Sequence, residues 1–519
     1  MLAAIHVVLG SRPSLRLCTF MAVVSLVPAA FAADNANAPA IPDATLQPAA
    51  AAAAIAVPTH RQVATIKATK PGQSQATVAC YCLKSDDNLM VGCSGGVGEI
   101  GIFEPDGKLV DSWAIPVKPE AICTRPDGVV FVAGEGKILK LAADGKVELM
   151  KEAPQAAALT EHPEKLREEV ITQAKEQAEQ FASQAQIYDK AIEQMTKQID
   201  ALKAQLAGLE EKEKATDKVA ADSSAEKNKD AEKPRSQPRA VRTKPMLERQ
   251  IKMLTQQKEQ YEQAKTQFAQ MLGAQPSGEL SDQEIEQRVK ASMEYKLKAS
   301  SISANEDDIF LATRAAAGYG YDVWRMNDQF ENATTIIKDL SGCCGQMDVK
   351  ANKDGVFVAE NSHHRVCRFD RDGKSLGNFG FGARTGLEGF GSCCNPMNVA
   401  FGPGGAIYTA EDDTGRIKRY SIDGKLLGLV GAIELKPGCK NCSIAVNSDG
   451  SRVYMLDIVR NFIVRLDARP ADEIAADIEK LKNAPPAPPA AEAGDDDSVS
   501  TSTSGAGIVV DALQLIFSR

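Results

Sequence analysis

The stretch Met347-Asp-Val-Lys-Ala-Asn-Lys-Asp-Gly-Val-Phe-Val-Ala-Glu360 places two short strand-like segments around an Asp-Gly turn. Apolar and polar residues alternate before the turn, and Val, Phe and Ala follow it, which is typical of a β-hairpin. Three similar stretches begin at Ala121, Met397 and Cys442, and weaker copies surround residues 86–88 and 305–307. Most copies continue into a third strand and a further turn. Four short antiparallel strands recurring about every 40 to 50 residues predict the blades of a β-propeller.

The repeat predicts a mainly β fold with six blades, in two blocks at residues 59–155 and 299–470. The blades are expected at 77–114, 115–151, 299–340, 343–385, 393–432 and 439–467. The sixth blade has only three clear strands, whereas residues 61–67 form an alternating strand with no blade of its own. Because exposed sheet edges promote aggregation, we expect this strand to complete the sixth blade as its outer strand and to close the ring.

The segment from Val349 to Gly373 carries Glu360-Asn361 followed by Arg365-Val366. In this it resembles the NHL family of six-bladed propellers, whose repeats run like Pro-x-Gly-Val-Ala-Val-x-x-Asp-Gly-x-Val-Tyr-Val-Ala-Asp and continue as Asn-x-Arg-Val/Ile. The resemblance covers roughly half of the chain. It implies the architecture and no single function, because the fold hosts lyases, lactonases and pure binding modules.

An α-helical insertion is predicted at residues 156–298, between the second and third blades. The apolar stripe from Ile171 to Leu209 repeats in alternating steps of three and four residues, which predicts a coiled-coil helix over 161–213. A charged, proline-containing hinge is expected at 214–245, a second stripe follows from Leu247 to Leu272, and Asp282 is expected to cap a third helix. We favour an antiparallel hairpin within one chain, with self-association as a parallel coiled coil as the alternative.

The chain ends carry no predicted domain. Two arginines precede an uncharged run over residues 17–31, and Ala30-Phe31-Ala32 fits a signal-peptidase site, so residues 1–32 are predicted to be a signal peptide. We therefore expect a secreted or periplasmic protein. Residues 33–58 form an Ala/Pro-rich linker, and residues 471–519 a low-complexity tail with a short apolar C-terminus.

Composition excludes some partners. Sixty basic and 69 acidic side chains give a net charge of −9, which argues against nucleic-acid binding. No stretch after the signal peptide is long enough to predict a transmembrane helix. The chain has only five His but 12 Cys, and removal of the signal peptide leaves 11 of these cysteines in a compartment that permits disulfides.

Equivalent positions of different repeats hold sulfur-containing side chains. Ten residues before the turn lie Cys344, Cys394 and Cys439; seven before it lie Cys80, Met347, Met397 and Cys442; and Cys343 and Cys393 directly precede the first two. If these positions belong to the innermost strands, their sulfur atoms meet at one mouth of the central channel.

Three interpretations of these residues, together with Cys82 and Cys93, stay open. Disulfides are expected in a secreted chain, with Cys439–Cys442, Cys80–Cys93 and links between blades as candidate pairs. A soft-metal site is the second interpretation, because thiolates with thioethers select Cu(I) and thiolates alone suit zinc. Thiol redox chemistry at Cys439 and Cys442 is the third.

Weaker metal candidates are suggested by the resemblance. The NHL-fold amidating lyases hold zinc through histidines from several blades, and here only His363 and His364 lie in blades. The lactonase-type propellers need acidic and Asn ligands near the axis, where only Glu120 qualifies. Glu360 lies beside the two histidines, and like Glu411 it ends a second strand, where a carboxylate is expected to cap a turn.

The sequence favours a non-catalytic function. The leading hypothesis is a scaffold that uses the Cys-lined face and the helical arm to bind a protein or an extracellular ligand, with no cofactor. The first alternative is a metal-dependent lyase or lactonase-like enzyme. The second is a copper-binding protein that uses the Cys/Met cluster.

Overall fold

The computed structural model describes residues 54–68, 77–96, 98–222, 239–271, 280–383, 386–392, 394–435 and 442–483. The predicted signal peptide, most of the linker, the tail beyond residue 483, Cys393 and Cys439 lie outside these ranges. The described residues divide into two compact units. The β unit contains all the strands, and the helical unit contains most of the residues between 157 and 296.

The β unit consists of six four-stranded antiparallel sheets, which we number in chain order. The chain begins with β1 (His60–Ile66). Sheet 1 contains β2 (Thr77–Leu83), β3 (Leu89–Ser94), β4 (Gly98–Phe103) and β5 (Leu109–Ile115). Sheet 2 contains β6 (Ala121–Thr124), β7 (Val130–Gly134), β8 (Lys137–Leu141) and β9 (Val147–Glu152). Sheet 3 contains β10 (Ala299–Ala304), β11 (Ile309–Arg314), β12 (Tyr321–Met326) and β13 (Thr334–Leu340).

The remaining sheets follow after the helical segment and sheet 3. Sheet 4 contains β14 (Asp348–Asn352), β15 (Gly355–Glu360), β16 (Arg365–Phe369) and β17 (Ser375–Phe379). Sheet 5 contains β18 (Asn398–Phe401), β19 (Ile407–Ala410), β20 (Arg416–Tyr420) and β21 (Leu426–Ala432). Sheet 6 contains β22 (Ile444–Val446), β23 (Arg452–Asp457), β24 (Phe462–Ala468) and, at its edge, β1. In this last pairing His60 lies opposite Ala468 and Ile66 opposite Ile463.

Both faces of the sheets are buried against neighbouring sheets. Alternate residues of a strand point to opposite faces, and in β15 Val358 packs with residues of sheet 3 while Phe357 packs with residues of sheet 5. The first strands β2, β6, β10, β14, β18 and β22 contact one another in that order, and β22 also contacts β2. Four-stranded sheets that pack face to face around their first strands define a β-propeller fold.

Polar side chains of the first strands join neighbouring sheets. Ser301 in β10 donates to Asp348 Oδ1 in β14 at 2.7 Å, and Asp348 Oδ2 accepts the backbone N–H of Val399 in β18 at 2.8 Å. Asn398 Oδ1 in turn accepts the N–H of Ile444 in β22 at 2.8 Å. Burial raises the pKa of Asp348 although these hydrogen bonds oppose the shift. Buried polar groups need such partners, so these side chains are part of the core.

The helical unit is dominated by two antiparallel helices. After the short α1 (Pro154–Glu161), the helix α2 (Pro163–Asp222) runs for 60 residues, or about 90 Å. The third helix, α3 (Arg239–Met271), packs against α2, with Tyr188 beside Tyr261 and Lys244 Nζ 3.1 Å from Glu210. Both ends of the predicted 214–245 hinge are helical, and residues 214–222 are rich in Lys and Ala, which have high helix propensity. Among the described helices, none is both long and apolar enough to cross a membrane.

Two details differ from the expectations. Ser281, not Asp282, caps α4 (Asp282–Lys296): Glu284 N–H donates to Ser281 Oγ at 3.3 Å and the Glu284 carboxylate accepts the Ser281 N–H at 2.8 Å. This reciprocal pair is a capping box, which leaves Asp282 as the first helical residue. Residues 471–482, predicted as tail, form α5 (Ala471–Lys482), and Glu473 of this helix pairs with Arg61 in β1 at 3.1 Å.

Candidate functional site

Three cysteine sulfur atoms from two sheets form one cluster. Cys343 and Cys344 precede β14 of sheet 4, and Cys394 precedes β18 of sheet 5. The Sγ–Sγ distances are 3.6 Å for Cys343–Cys344, 3.0 Å for Cys344–Cys394 and 3.2 Å for Cys394–Cys343. Cys394 is buried, and the other two are half-buried. Among the described residues, this is the one group of three potential metal ligands whose donor atoms lie close together.

The cluster lies in the loops that lead into the first strands rather than in the strands themselves. The ladder of sheet 4 begins where Asp348 pairs with Ala359, and that of sheet 5 where Asn398 pairs with Ala410. The expectation that these cysteines belong to the innermost strands is therefore wrong for Cys344 and Cys394, which lie four residues before the first paired residues of their sheets. Equal spacing from the turn fixes a position within the repeat, but it does not show where the strand pairing begins.

Glu360 and Asn361 hold the loop of Cys343 and Cys344. Glu360 Oε1 accepts the N–H of Ser341 at 3.1 Å. Asn361 Oδ1 accepts the N–H of Cys343 at 2.7 Å, and its Nδ2 donates to the carbonyls of Cys343 at 3.3 Å and Gln346 at 3.2 Å. Both side chains are buried. The Glu-Asn pair that supports the NHL resemblance is thus the element that positions this cysteine loop.

The loop of Cys394 is held in an equivalent way. The carboxylate of Glu411 accepts the N–H of Gly391 at 3.1 Å, as Glu360 does for Ser341 two residues before the cysteine pair of its own sheet. Asn395 donates to the Gly391 carbonyl at 2.8 Å and accepts the N–H of Asp412 at 2.9 Å. Both loops are therefore fixed by buried side chains with satisfied backbone hydrogen bonds.

A buried ion pair beside the second loop was not recognised in the sequence. Lys418 Nζ lies 3.0 Å from Glu411 Oε1, and neither side chain is exposed. Arg416 binds the other carboxylate oxygen at 2.7 Å, and Lys418 also donates to the Leu387 and Gly389 carbonyls. Burial lowers the pKa of Lys418, although the Glu411 charge opposes that shift. The spacing Glu-x4-Arg is the sequence signal for the contact between Glu411 and Arg416, and sheet 4 repeats it with Glu360 and Arg365.

The two methionines of the predicted sulfur site, Met347 and Met397, are buried core residues in different apolar clusters. Met397 and Cys442 are buried in the same apolar cluster as Cys394, whereas Met347 packs between sheets 3 and 4. Asn361 Nδ2 donates to Met397 Sδ at 3.4 Å. Cys442 is linked to the cysteine loop through its backbone, because its carbonyl accepts from the Gln346 side chain at 2.7 Å.

The cysteines of sheets 1 and 2 are separate from this cluster. Cys80 lies opposite Gly92 and packs between sheets 1 and 2, whereas Cys93 lies opposite Val78 and packs towards sheet 6. The suggested Cys80–Cys93 pair is therefore wrong, because the two side chains point to opposite faces of one sheet. Burial raises the pKa of Cys80 and Cys82 well above the usual value and that of Cys123 to about 12. Thiols of this kind stay protonated and unreactive at neutral pH.

The weaker metal candidates lie apart from one another or already contact other protein groups. Glu120 accepts the N–H of Ala299 at 2.8 Å in sheet 3, and burial raises its pKa. His363 Nδ1 lies 3.0 Å from Glu360, whereas the adjacent His364 interacts with the Asn395 carbonyl at 3.1 Å. The two histidines therefore face different partners. The predicted members Cys393 and Cys439 lie outside the described residues, so the Cys439–Cys442 motif is not placed.

Comparisons with known proteins identify no family. No protein-family model and no curated protein matches the chain. Solved structures that are similar include a protein of unknown function from Bacteroides thetaiotaomicron, with 9% identity, a TM-score of 0.39, and coverage of 80% of this chain and 74% of that one. The Neurospora crassa Pan2 WD40 domain has 8% identity, a TM-score of 0.36 and coverage of 79% and 96%. A gluconolactonase from Xanthomonas campestris has 11% identity, a TM-score of 0.32 and coverage of 79% and 99%.

Proposed function

We propose that this protein is a secreted or periplasmic binding or scaffold protein built on a six-bladed, NHL-like β-propeller. In this proposal the six sheets are six blades of one ring, and β1 closes it by completing sheet 6. The helices α2 and α3 form a coiled-coil hairpin that serves as an additional arm. The face with the Cys343, Cys344 and Cys394 loops binds a protein or an extracellular ligand.

The way the cysteine loops are held carries this proposal. Buried Glu360, Asn361, Glu411 and Asn395 fix the two loops through backbone hydrogen bonds, while Cys343 and Cys344 stay partly accessible. A rigid loop surface on a stable scaffold suits recognition, because little conformational entropy is lost on binding.

The acidic groups support binding over catalysis. Glu360 and Glu411 are engaged by arginines and backbone N–H groups, and Glu120 by a backbone N–H. A general acid–base pair needs two such groups directed at one substrate, whereas these three carboxylates each support a different loop or strand. The lyase or lactonase-like alternative would be favoured if the purified protein opened lactones and Glu120→Gln abolished that activity.

Site-specific photo-cross-linking in the cells that produce the protein tests the binding face. A photoreactive amino acid replaces His363, whose side chain is 51% exposed beside the cysteine loops. A matched variant carries it in place of Leu376, which is 48% exposed in the outer strand of the same sheet. We expect a defined cross-linked partner from position 363 alone. Equal products from both positions, or none from position 363, would contradict the proposal.

The proposed location has its own test. Mass spectrometry of the protein recovered from outside the cytoplasm is expected to show an N-terminus at Ala33, since the predicted cleavage follows Ala32. A protein found only in the cytoplasm with residues 1–32 intact would contradict secretion. The copper-binding alternative is supported by one observation, the three clustered sulfur atoms, and leads to the inference below.

A further inference from the structure

We propose that Cys343, Cys344 and Cys394 form a three-sulfur site for a thiophilic monovalent cation, Cu(I). This inference goes beyond the binding function, and it holds whether or not the surrounding face binds a protein. It rests on the mutual positions of the three sulfur atoms, on the chemistry of the donors and on the way the two loops are supported.

The three sulfur atoms are arranged as a triangle rather than as one bonded pair and a bystander. Their separations of 3.0, 3.2 and 3.6 Å are similar to one another. All exceed the disulfide bond length of about 2.05 Å by a wide margin. A metal bound to three thiolates at about 2.3 Å in a plane places them about 4 Å apart. An outward movement of less than about 1 Å per pair therefore converts the triangle into a coordination site.

The backbone directs the vicinal thiols to one place. In an extended strand, neighbouring side chains point to opposite faces, yet Cys343 Sγ and Cys344 Sγ lie 3.6 Å apart. Cys344 has a φ of +54°, in the left-handed region that residues with a β-carbon rarely adopt. The hydrogen bonds of Asn361 to Cys343 and Gln346 hold the turn in this conformation. Strained backbone maintained in this way is found where a site must be preorganised.

The donor set selects the ion. Thiolates are soft ligands that favour Cu(I) and zinc over harder cations. Structural zinc sites take four ligands, and the three clustered cysteines supply three thiolates at similar mutual distances. Cu(I) is stable with three sulfur ligands. Buried Met397 and Cys442 pack in the same apolar cluster as Cys394, which shields one side of the site from water. The half-buried Cys343 and Cys344 leave the other side accessible.

The oxidation state of the cysteines is the first test. The full-length secreted protein is isolated without reductant, denatured in the presence of an alkylating agent, digested and analysed by mass spectrometry. We expect Cys343, Cys344 and Cys394 to be alkylated. A disulfide that contains any of the three would overturn the proposal.

Metal titration is the second test. The reduced protein is titrated anaerobically with Cu(I) against a chromophoric Cu(I) chelator, and in parallel with Zn(II) against a zinc chelator. We expect one Cu(I) per chain and a copper X-ray absorption spectrum with three sulfur neighbours. Cys394→Ser and Cys344→Ser should each weaken Cu(I) binding about 100-fold or more, beyond the 10- to 100-fold effect of losing a residue that only supports a ligand.

A buried thiol outside the cluster supplies the control. Cys123→Ala changes a core cysteine of sheet 2 and is expected to leave Cu(I) affinity unchanged. Circular dichroism of all variants shows whether a loss of binding reflects unfolding. Zinc binding as tight as copper binding would overturn the choice of ion, and unchanged copper affinity in both serine variants would overturn the site.

Discussion

Sheets 4 and 5 use the same device to hold their cysteine loops and surround it with different charges. In both, a carboxylate at the end of the second strand accepts a backbone N–H ahead of the cysteines and binds an arginine five residues later. Two residues beyond the arginine, sheet 4 has Cys367 and sheet 5 has Lys418. The Cys367 thiol lies 3.4 Å from Glu360, and burial together with that charge raises its pKa to about 12.

Solvent access separates the two arrangements further. The carboxylate of Glu411 has two cationic partners, of which Lys418 is completely buried and Arg416 is 16% exposed. Glu360 instead interacts with Arg365 and His363, which are 37% and 51% exposed. The same carboxylate-to-backbone contact is therefore surrounded by buried charges in sheet 5 and by partly exposed groups in sheet 4. Three substitutions test that difference.

Glu411→Gln is expected to have the largest effect. It leaves the Lys418 ammonium in the core without its counter-charge, and breaking a buried ion pair costs about 3–5 kcal/mol of unfolding free energy. Urea unfolding followed by tryptophan fluorescence measures this change. Both tryptophans, Trp113 and Trp324, lie in the β unit and therefore report on it. If Glu411→Gln lowered the unfolding free energy less than the matched variant Glu360→Gln does, the prediction that the Glu411–Lys418 pair is buried away from solvent would be contradicted.

Glu360→Gln is expected to cost less, about 1–2 kcal/mol at neutral pH, because its partners Arg365 and His363 are partly exposed and can be solvated when the carboxylate is removed. Burial acts to raise the pKa of Glu360, but Arg365, the Ser341 N–H and His363 outweigh it and lower the pKa below its usual value. A depressed folded-state pKa adds stability above the unfolded value of about 4.3. That stability is lost as the pH falls through the lower folded-state pKa.

The wild-type protein and Glu360→Gln should therefore converge in unfolding free energy as the pH is lowered below about 4. Urea titrations at a series of pH values measure the difference between the two proteins. A difference that stayed constant from neutral to acidic pH would show that the charge of Glu360 does not contribute.

His363→Ala is expected to have the smallest effect, less than about 1 kcal/mol, because polar contacts made by an exposed side chain contribute little to stability. A loss as large as that of Glu360→Gln would mean that His363, rather than Arg365, supports the carboxylate.

Much of the fold was predictable because its signals are local. Asp-Gly turns between alternating apolar segments predicted the first hairpins of sheets 4 and 6, a Pro-Gly-Gly turn predicted that of sheet 5, and the heptad stripes predicted that α2 and α3 pack together. Met195, Ile199 and Leu247 of those stripes are buried accordingly. The predicted ends of helices and domains were less accurate, as the Ser281 cap and α5 show. Several neighbouring residues can satisfy the same preference for a helix cap or a helix end.

The repeat pattern alone predicts that sulfur atoms distant in the chain occupy equivalent positions, since each repeat forms the same four-stranded sheet and brings equivalent residues to equivalent places. Which of these sulfur atoms lie close together depends on the tertiary structure. Cys343, Cys344 and Cys394 converge because two loops of neighbouring sheets turn towards each other, whereas Cys80 and Cys93 separate because their strand register places them on opposite faces. The buried Glu411–Lys418 pair was equally hidden, because the periodic pattern shows that a strand is buried and does not show which charge faces which.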